Sequence, residues 1–111
     1  MPRSTIMVDA AGRRTFQAGY AEALKAIMED YDLQRAIECL RGIEPESEQE
    51  SWLQTDLLGA LLWRTGRLSV CRQVLVSHKR RYPDDRRVDR LIESFRKACR
   101  RIRRKDRPTS P

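Results

Sequence analysis

Several features on which catalysis depends are scarce or absent in this sequence. The 111 residues include one histidine, no asparagine and no glycine-rich phosphate loop, and the histidine has no identifiable Ser or Cys partner with an orienting acid. No apolar run approaches the ~18 residues of a membrane-spanning helix. These absences predict a protein that is not an enzyme and has no membrane span.

Cysteine is also sparse, and its spacing argues against a metal site. Cys39, Cys71 and Cys99 are widely separated, whereas zinc needs about four ligands and the chain offers one histidine. Each cysteine falls on an apolar helical stripe, where we expect it to act as a small hydrophobic side chain. Reduced thiols, no cofactor and a cytoplasmic location follow as expectations, because the first fifteen residues contain only a short apolar block.

The abundant residue types predict helices. Ala, Leu, Arg, Glu and Gln dominate the middle of the chain, and no run of alternating β-branched residues predicts a strand. One small all-α domain is expected over residues 14–104, between a flexible N-terminus at 1–13 and a flexible tail at 105–111. The helices are predicted near residues 14–30, 33–43, 48–65, 68–81 and 86–104.

One segment carries a repeat pattern. Residues 58–85 read LGALLWRTGRLSVCRQVLVSHKRRYPDD, with a Leu-Gly pair in the first helix, a Gly at the turn, a small residue at the helix crossing and a closing Pro. Gly59 allows close helix approach, Gly66 allows a positive φ, Cys71 is small, and Pro83 cannot continue a helix. This pattern resembles the tetratricopeptide repeat, the helix-turn-helix unit of α-solenoids.

A degenerate copy of the pattern precedes this segment. A shift of about 35 residues, close to the family's usual 34, aligns ALKAIMEDYDLQRAIECLRGIEPES with it. Ala36 then matches Cys71, but Tyr31 stands where the later copy has Gly66, and we expect Tyr31 to pack between helices. The resemblance implies an α-solenoid of two tetratricopeptide-like helical hairpins.

The last predicted helix has the cleanest amphipathic pattern. Its apolar residues form one stripe, which must cover part of the core because full burial of a large apolar side chain gains about 1.5 to 3 kcal/mol. It resembles the amphipathic helix that caps tetratricopeptide arrays at the C-terminal end. The stripe contains Val88, Leu91, Ile92, Phe95, Ala98, Cys99 and Ile102.

The resemblance implies a groove lined by the first helix of each repeat, and hence an adaptor or chaperone that binds a partner segment. A solenoid of this size would resemble the cytoplasmic chaperones of bacterial secretion systems. Two repeats are fewer than the roughly three such units usually need, which suggests a homodimer, a larger complex or stabilisation by the partner. Trp63 and Met28 are interpreted either as contacts in this groove or as core residues of a closed helical bundle. The groove positions are Leu53, Asp56, Ala60, Trp63 and Arg64 in the later copy, and Lys25 and Met28 in the earlier one.

Positive charge is concentrated near the C-terminus. Residues 1–78 carry 9 Lys and Arg against 11 Asp and Glu, whereas residues 79–111 carry 14 against 5. The basic face of the last helix is interpreted as a solvated surface, a surface for an acidic protein, a membrane-surface patch, or a nucleic-acid surface. Nucleic-acid binding by this helix is the alternative function, although few aromatics accompany the charges. The basic face contains Arg86, Arg87, Arg90, Lys97, Arg100, Arg101, Arg103 and Arg104.

Three further residues have structural interpretations. Ser47 is predicted to cap the helix that follows it. Trp52 is expected to pack between helices. His78 lies near a predicted helix end, where a protonated imidazole would interact favourably with the helix dipole.

Overall fold

Between residues 15 and 106 the chain folds into five α-helices. The computed structural model describes this range, with side chains to residue 103, and contains no strand in it. The predicted all-α class is confirmed, and each predicted helix boundary lies within two residues of the observed one. The predicted flexible ends lie outside the described residues, except that residues 105 and 106 continue the last helix. The helices are α1 (Phe16–Met28), α2 (Leu33–Arg41), α3 (Glu48–Arg64), α4 (Leu68–Arg81) and α5 (Arg87–Asp106).

Side-chain caps define the start of the first three helices. Thr15, Asp32 and Ser47 each accept a hydrogen bond from a backbone N–H of the first turn, at 3.0 to 3.2 Å. Glu50 in turn accepts from the backbone N–H of Glu46 at 2.9 Å. These bonds satisfy donors that a helix start otherwise leaves without partners. The cap predicted at Ser47 is therefore confirmed.

The turns between α1 and α2 and between α3 and α4 both contain a residue with positive φ. Gly66, between α3 and α4, has φ 76°, as predicted, and the N–H of Arg67 donates to the carbonyl of Leu62 at 2.8 Å. Tyr31, between α1 and α2, has φ 51° and is 85% exposed. The packing role predicted for Tyr31 is therefore wrong, because this residue instead takes the turn conformation that Gly66 takes 35 residues later.

The helices pack mainly on their neighbours in the chain. α1 packs on α2, and α3 packs on α4, so residues 16–41 and 48–81 form two helical hairpins. The hairpins meet through α2 and α3, where the Gln54 amide donates to the carbonyls of Leu40 and Ile43 at 2.7 and 3.0 Å. α5 packs on α4 and less extensively on α3. This order suits the solenoid suggested by the sequence, which stays a prediction.

Small residues lie where paired helices come together. Ala36 and Cys71, at equivalent positions of the two hairpins, are both buried, as predicted. Among the described glycines the tightest site is Gly19, because a Cβ there would lie 2.0 Å from Cγ2 of Ile43, which follows the end of α2. A Cβ at Gly59 would lie 3.6 Å from Leu75, an ordinary contact. The close approach predicted at Gly59 is present, because Cys71 Sγ of the paired helix donates to the Gly59 carbonyl at 3.3 Å, but a Cβ would still fit there.

Candidate functional site

An open cleft between α3 and α5, with α4 beneath it, is the first candidate site. We call it the Trp63 cleft, and its volume is about 350 Å³. Its surface is mostly apolar, and Cys71 and Leu75 of α4 contribute buried side chains to it. The lining residues are Asp56, Gly59, Ala60, Trp63, Arg64, Cys71, Leu75, Leu91, Ser94, Phe95 and Ala98.

Two aromatic rings join the walls of the Trp63 cleft. The rings of Trp63 and Phe95 meet edge to face, with centroids 5.5 Å apart and planes at 72°. Val88, which is 0% exposed, anchors the start of α5 in the core, so Phe95 is carried over Trp63 two turns later. The cleft therefore depends on the position of α5 relative to α3.

The thiol of Cys71 is a structural part of the cleft. Its Sγ donates to the carbonyl oxygen of Gly59 at 3.3 Å. Burial, with a smaller contribution from nearby Cys99, raises the pKa of the Cys71 thiol. Because a thiolate is the reactive form, this side chain is a poor nucleophile and acts as a small apolar surface.

The structure brings together four of the seven groove positions identified in the sequence. Asp56, Ala60, Trp63 and Arg64 line the Trp63 cleft. Leu53 instead packs against the core. The other two positions lie on α1 and are not among the lining residues. They are Lys25, which is exposed, and Met28, which is 73% exposed.

One residue of α1, Tyr20, has a perturbed phenol. Tyr20 is partly buried against the core, and this burial raises the pKa of its phenol. The negative charge of Asp56 adds to the shift, because a like charge disfavours the phenolate.

A second groove lies on the opposite flank of α5, between α4 and α5. We call it the arginine groove, and its volume is about 600 Å³. It combines an apolar floor with four arginines, and it shares Leu75 and Phe95 with the Trp63 cleft. The lining residues are Arg72, Leu75, Val76, Ile92, Glu93, Phe95, Arg96, Cys99, Arg100 and Arg103.

The basic residues predicted to form one face lie in three different surroundings, apart from Arg104. Arg100 and Arg103 line the arginine groove, whereas Arg86, Arg90, Lys97 and Arg101 are exposed residues outside both clefts. Arg87 is engaged within the protein, and its guanidinium lies 5.0 Å from the Trp52 ring centroid. Arg104 lies on α5, beyond the described side chains.

A buried polar cluster fixes the start of α5. Ser51 Oγ lies 2.8 Å from Nδ1 of His78, whose Nε2 lies 2.8 Å from Oδ2 of Asp85. The tautomer with hydrogen on Nε2 donates to Asp85 and accepts from Ser51, so both contacts are satisfied. Asp85 also accepts from the backbone N–H and from the guanidinium of Arg87, and Nη1 of Arg87 donates to Gln49. The cluster therefore ties α3, α4 and α5 together.

The hydrogen bonds on Asp85 favour its ionised form. The side-chain bonds from Arg87 hold the pKa of Asp85 well below its usual value of 3.8, burial opposes this shift, and the bond from His78 adds to it. Asp85 is thus a buried carboxylate with a bidentate arginine partner, which is the strong geometry for such a pair.

One interpretation of His78 from the sequence is wrong, because His78 does have a Ser partner and an acidic partner, Ser51 and Asp85. Its predicted position near a helix end is confirmed, since it lies in the last turn of α4, where it is 2% exposed. Ser51 is 4% exposed, and its backbone N–H donates to the carbonyl of Ser47 within α3. That N–H is therefore not available as an oxyanion donor at Ser51, and the arrangement suits a structural role.

The range that the structure describes has neither a metal-binding cluster nor a candidate membrane span. No group of three or more His, Cys, Asp or Glu side chains within it is placed to hold a metal ion. None of its helices is both long enough and apolar enough to cross a membrane. Its three cysteines are unpaired thiols, with Cys71 buried and Cys39 and Cys99 partly buried.

Comparison with known proteins finds no relative: no family model matches the chain, and nothing matches it among the curated proteins or the solved structures. The resemblance to tetratricopeptide repeats therefore rests on the residues of this chain alone.

Proposed function

We propose that this protein is a cytoplasmic, non-enzymatic adaptor or chaperone that holds an apolar segment of a partner protein in the Trp63 cleft. The observation that carries the proposal is the convergence of Asp56, Ala60, Trp63 and Arg64 on one open cleft. The same positions follow from the tetratricopeptide resemblance as partner contacts. Sequence pattern and geometry thus favour the same surface.

The chemistry of the cleft favours an apolar occupant with polar flanks. Trp63 and Phe95 are only partly buried, so a partner side chain would remove further aromatic surface from water, at about 25 cal/mol per Å². Partly exposed tryptophans of this kind are frequent binding hot spots. Asp56 and Arg64 are eight residues apart on α3, about 12 Å along the helix. These opposite charges would favour a bound segment of about two helical turns in one orientation.

The alternative function is nucleic-acid binding through α5. The exposed basic residues of α5 favour it, because phosphate contacts need clustered Arg and Lys. Against it, the two aromatics of the basic region are engaged inside the protein. Phe95 meets Trp63, and the Tyr82 ring lies 5.3 Å from the His78 ring. Neither ring is placed as a platform for base stacking.

A substitution that places a larger side chain in the Trp63 cleft distinguishes these two functions. Ala60 is exposed within the cleft, so Ala60→Gln would fill space without changing charge or core packing. Ser69→Gln, at an exposed position on α4 outside both clefts, is the matched control. Wild type and both variants are used to capture partners from host lysate, with nuclease and at two salt concentrations. The affinity of each purified partner is then measured.

The expected result is one protein partner that survives nuclease treatment. Its affinity should fall about tenfold or more with Ala60→Gln and stay unchanged with Ser69→Gln. Capture that is lost with nuclease or high salt and is indifferent to Ala60→Gln would replace the proposal with nucleic-acid binding.

A further inference from the structure

The two flanks of α5 present different chemistry. Leu91, Ser94 and Ala98 face the Trp63 cleft, whereas Ile92 and Cys99 face the arginine groove, together with Arg96, Arg100 and Arg103. Phe95 and Leu75 line both and separate them. The arginine groove is therefore a second surface, and the proposal for it does not rest on the function proposed for the Trp63 cleft.

The arginine groove has an apolar floor. Leu75 and Val76 of α4 and Ile92 and Cys99 of α5 form it, and all but Leu75 are only partly buried. The apolar stripe of α5 also becomes more exposed toward its end, because Ile102 is 40% exposed whereas Val88 is 0% exposed. An occupant that covers this floor must itself present apolar side chains.

The rim of the groove has uncompensated positive charge. No ion pair within the described residues holds Arg72 or Arg96. Arg100 lies 3.6 Å from Glu93, which is the one acidic side chain lining the groove, and both side chains are more than half exposed. Such an exposed pair is weak, so Arg100 remains available to another carboxylate.

We propose that the arginine groove binds an acidic amphipathic helix of another protein. Arg96, Arg100 and Arg103 follow one edge of α5 at spacings of four and three residues, over about 10 Å. A partner helix with carboxylates at the same spacings would meet this edge, because residues at i, i+4 and i+7 share a helix face. Its adjacent apolar residues would cover Ile92 and Val76, and a carboxylate on its other side would reach Arg72.

Two other occupants fit the groove less well. A nucleic-acid backbone would satisfy the arginines but would leave the apolar floor without a partner. A second copy that docked through its own α5 would bring the same arginines against this rim, so like charges would oppose association. An acidic helix is the occupant that satisfies both the floor and the rim.

A designed peptide tests this proposal without knowledge of the natural partner. The probe is a fluorescein-labelled helix of about 18 residues, with Glu at i, i+4 and i+7, Leu at the adjacent positions, and Ala and Gln elsewhere. Its control has the same composition in scrambled order. Peptide binding to the full chain is measured by fluorescence anisotropy. Binding of a short single-stranded RNA tests the nucleic-acid occupant, and light scattering of the protein alone tests self-association.

Two charge-reversal variants provide the matched comparison. Arg96→Glu with Arg100→Glu alters the groove, whereas Arg90→Glu with Lys97→Glu makes the same charge change on α5 outside it. All four side chains are exposed, so both proteins should remain folded, and circular dichroism checks this. Changes in the amide chemical shifts of the wild-type protein on addition of the peptide locate the binding site without any variant.

The expected result is salt-dependent binding of the ordered peptide. Its affinity should fall about tenfold or more in the groove variant and less than about threefold in the matched variant. The largest shifts should fall at Val76, Ile92 and Cys99. Equal loss in both variants, equal binding of the scrambled peptide, tighter binding of the RNA, self-association of the protein, or shifts centred on Ala60 and Trp63 would each overturn the proposal.

Discussion

The hairpin of α1 and α2 and the hairpin of α3 and α4 place equivalent residues 35 positions apart. Both turns contain a residue with positive φ, at Tyr31 and at Gly66. Both crossings bury a small residue, Ala36 or Cys71. The hairpins therefore share a backbone plan although few of their residues are identical.

The two hairpins differ in the residues buried at their bases. In the second hairpin, Ser51 and His78 are joined by a buried hydrogen bond. The positions 35 residues earlier are Phe16 and Ile43, which are both buried in the apolar core. Equivalent positions are thus occupied by a polar pair in the second hairpin and by two apolar side chains in the first. Only the polar version involves Asp85 and Arg87, and only it fixes the start of a further helix.

The hairpins also differ on the face where a partner would bind. Trp63 is partly buried against Phe95, whereas Met28, at its equivalent position, is 73% exposed. The difference follows from α5, which packs on the second hairpin. A repeat pattern alone therefore does not create the candidate site, because the site also needs the helix that follows the second hairpin.

The largest expected effect comes from breaking the buried cluster. Asp85→Ala would leave the buried imidazole of His78 and the exposed guanidinium of Arg87 without their acceptor, and we expect a loss of about 3 kcal/mol in the free energy of unfolding. Asp84→Ala, at the exposed neighbouring carboxylate, should cost less than about 0.5 kcal/mol. Urea denaturation measures both, and similar losses would contradict the role given to the cluster.

Acid should remove part of the same stabilisation. Because the pKa of Asp85 is lower in the folded state than its usual 3.8, the unfolded state takes up a proton more readily as the pH falls. This contribution is therefore present above about pH 4 and is lost progressively below it. The free energy of unfolding, measured from pH 6 to pH 2.5, should fall less steeply in Asp85→Asn than in wild type. Parallel curves would refute the assignment.

Alanine at two glycines should have opposite effects in the two hairpins. Gly19→Ala would place a Cβ 2.0 Å from Ile43, a stiff β-branched side chain, and we expect a loss of about 2 kcal/mol. Gly59→Ala meets only an ordinary contact with Leu75 and should gain about 0.5 kcal/mol from helix propensity. Thermal or urea unfolding distinguishes them, and a loss at Gly59 as large as at Gly19 would contradict the packing described.

The smallest expected effect concerns the turns. Tyr31→Gly removes an exposed side chain from a left-handed conformation and should stabilise the protein by about 0.5 kcal/mol. Gly66→Ala forces a Cβ into that conformation and should cost about 1 kcal/mol. The two melting temperatures should therefore shift in opposite directions. A lower melting temperature for Tyr31→Gly would reveal contacts of Tyr31 that compensate for its backbone strain.

The sequence predicts those parts of the fold that local pattern controls. Helix boundaries, the cap at Ser47 and the positive φ of Gly66 depend on residues a few positions apart, and these predictions are confirmed. The pairing of Ser51 with His78 spans 27 residues, and Gly19 meets Ile43 across 24, so both depend on helix packing that periodicity does not encode. The same reason explains why Arg87, an exposed basic residue, contacts Gln49 and the Trp52 ring of α3.

The candidate site was predictable on one helix only. Asp56, Ala60, Trp63 and Arg64 share a face of α3, and a single helical pattern places them together. The opposite wall, with Leu91, Phe95 and Ala98, depends on how α5 docks, and its amphipathic stripe does not indicate which neighbour it covers. The arginine groove was not foreseen for the same reason.

The most direct test of the central claim is the footprint of a purified natural partner segment on the isotope-labelled protein, read from NMR chemical shifts. Binding in the Trp63 cleft predicts the largest shifts at Ala60, Ala98 and the indole N–H of Trp63, with those of α2 unchanged. Shifts confined to α1 and α2, or spread over the exposed arginines of α5 without the Trp63 indole, would contradict the claim.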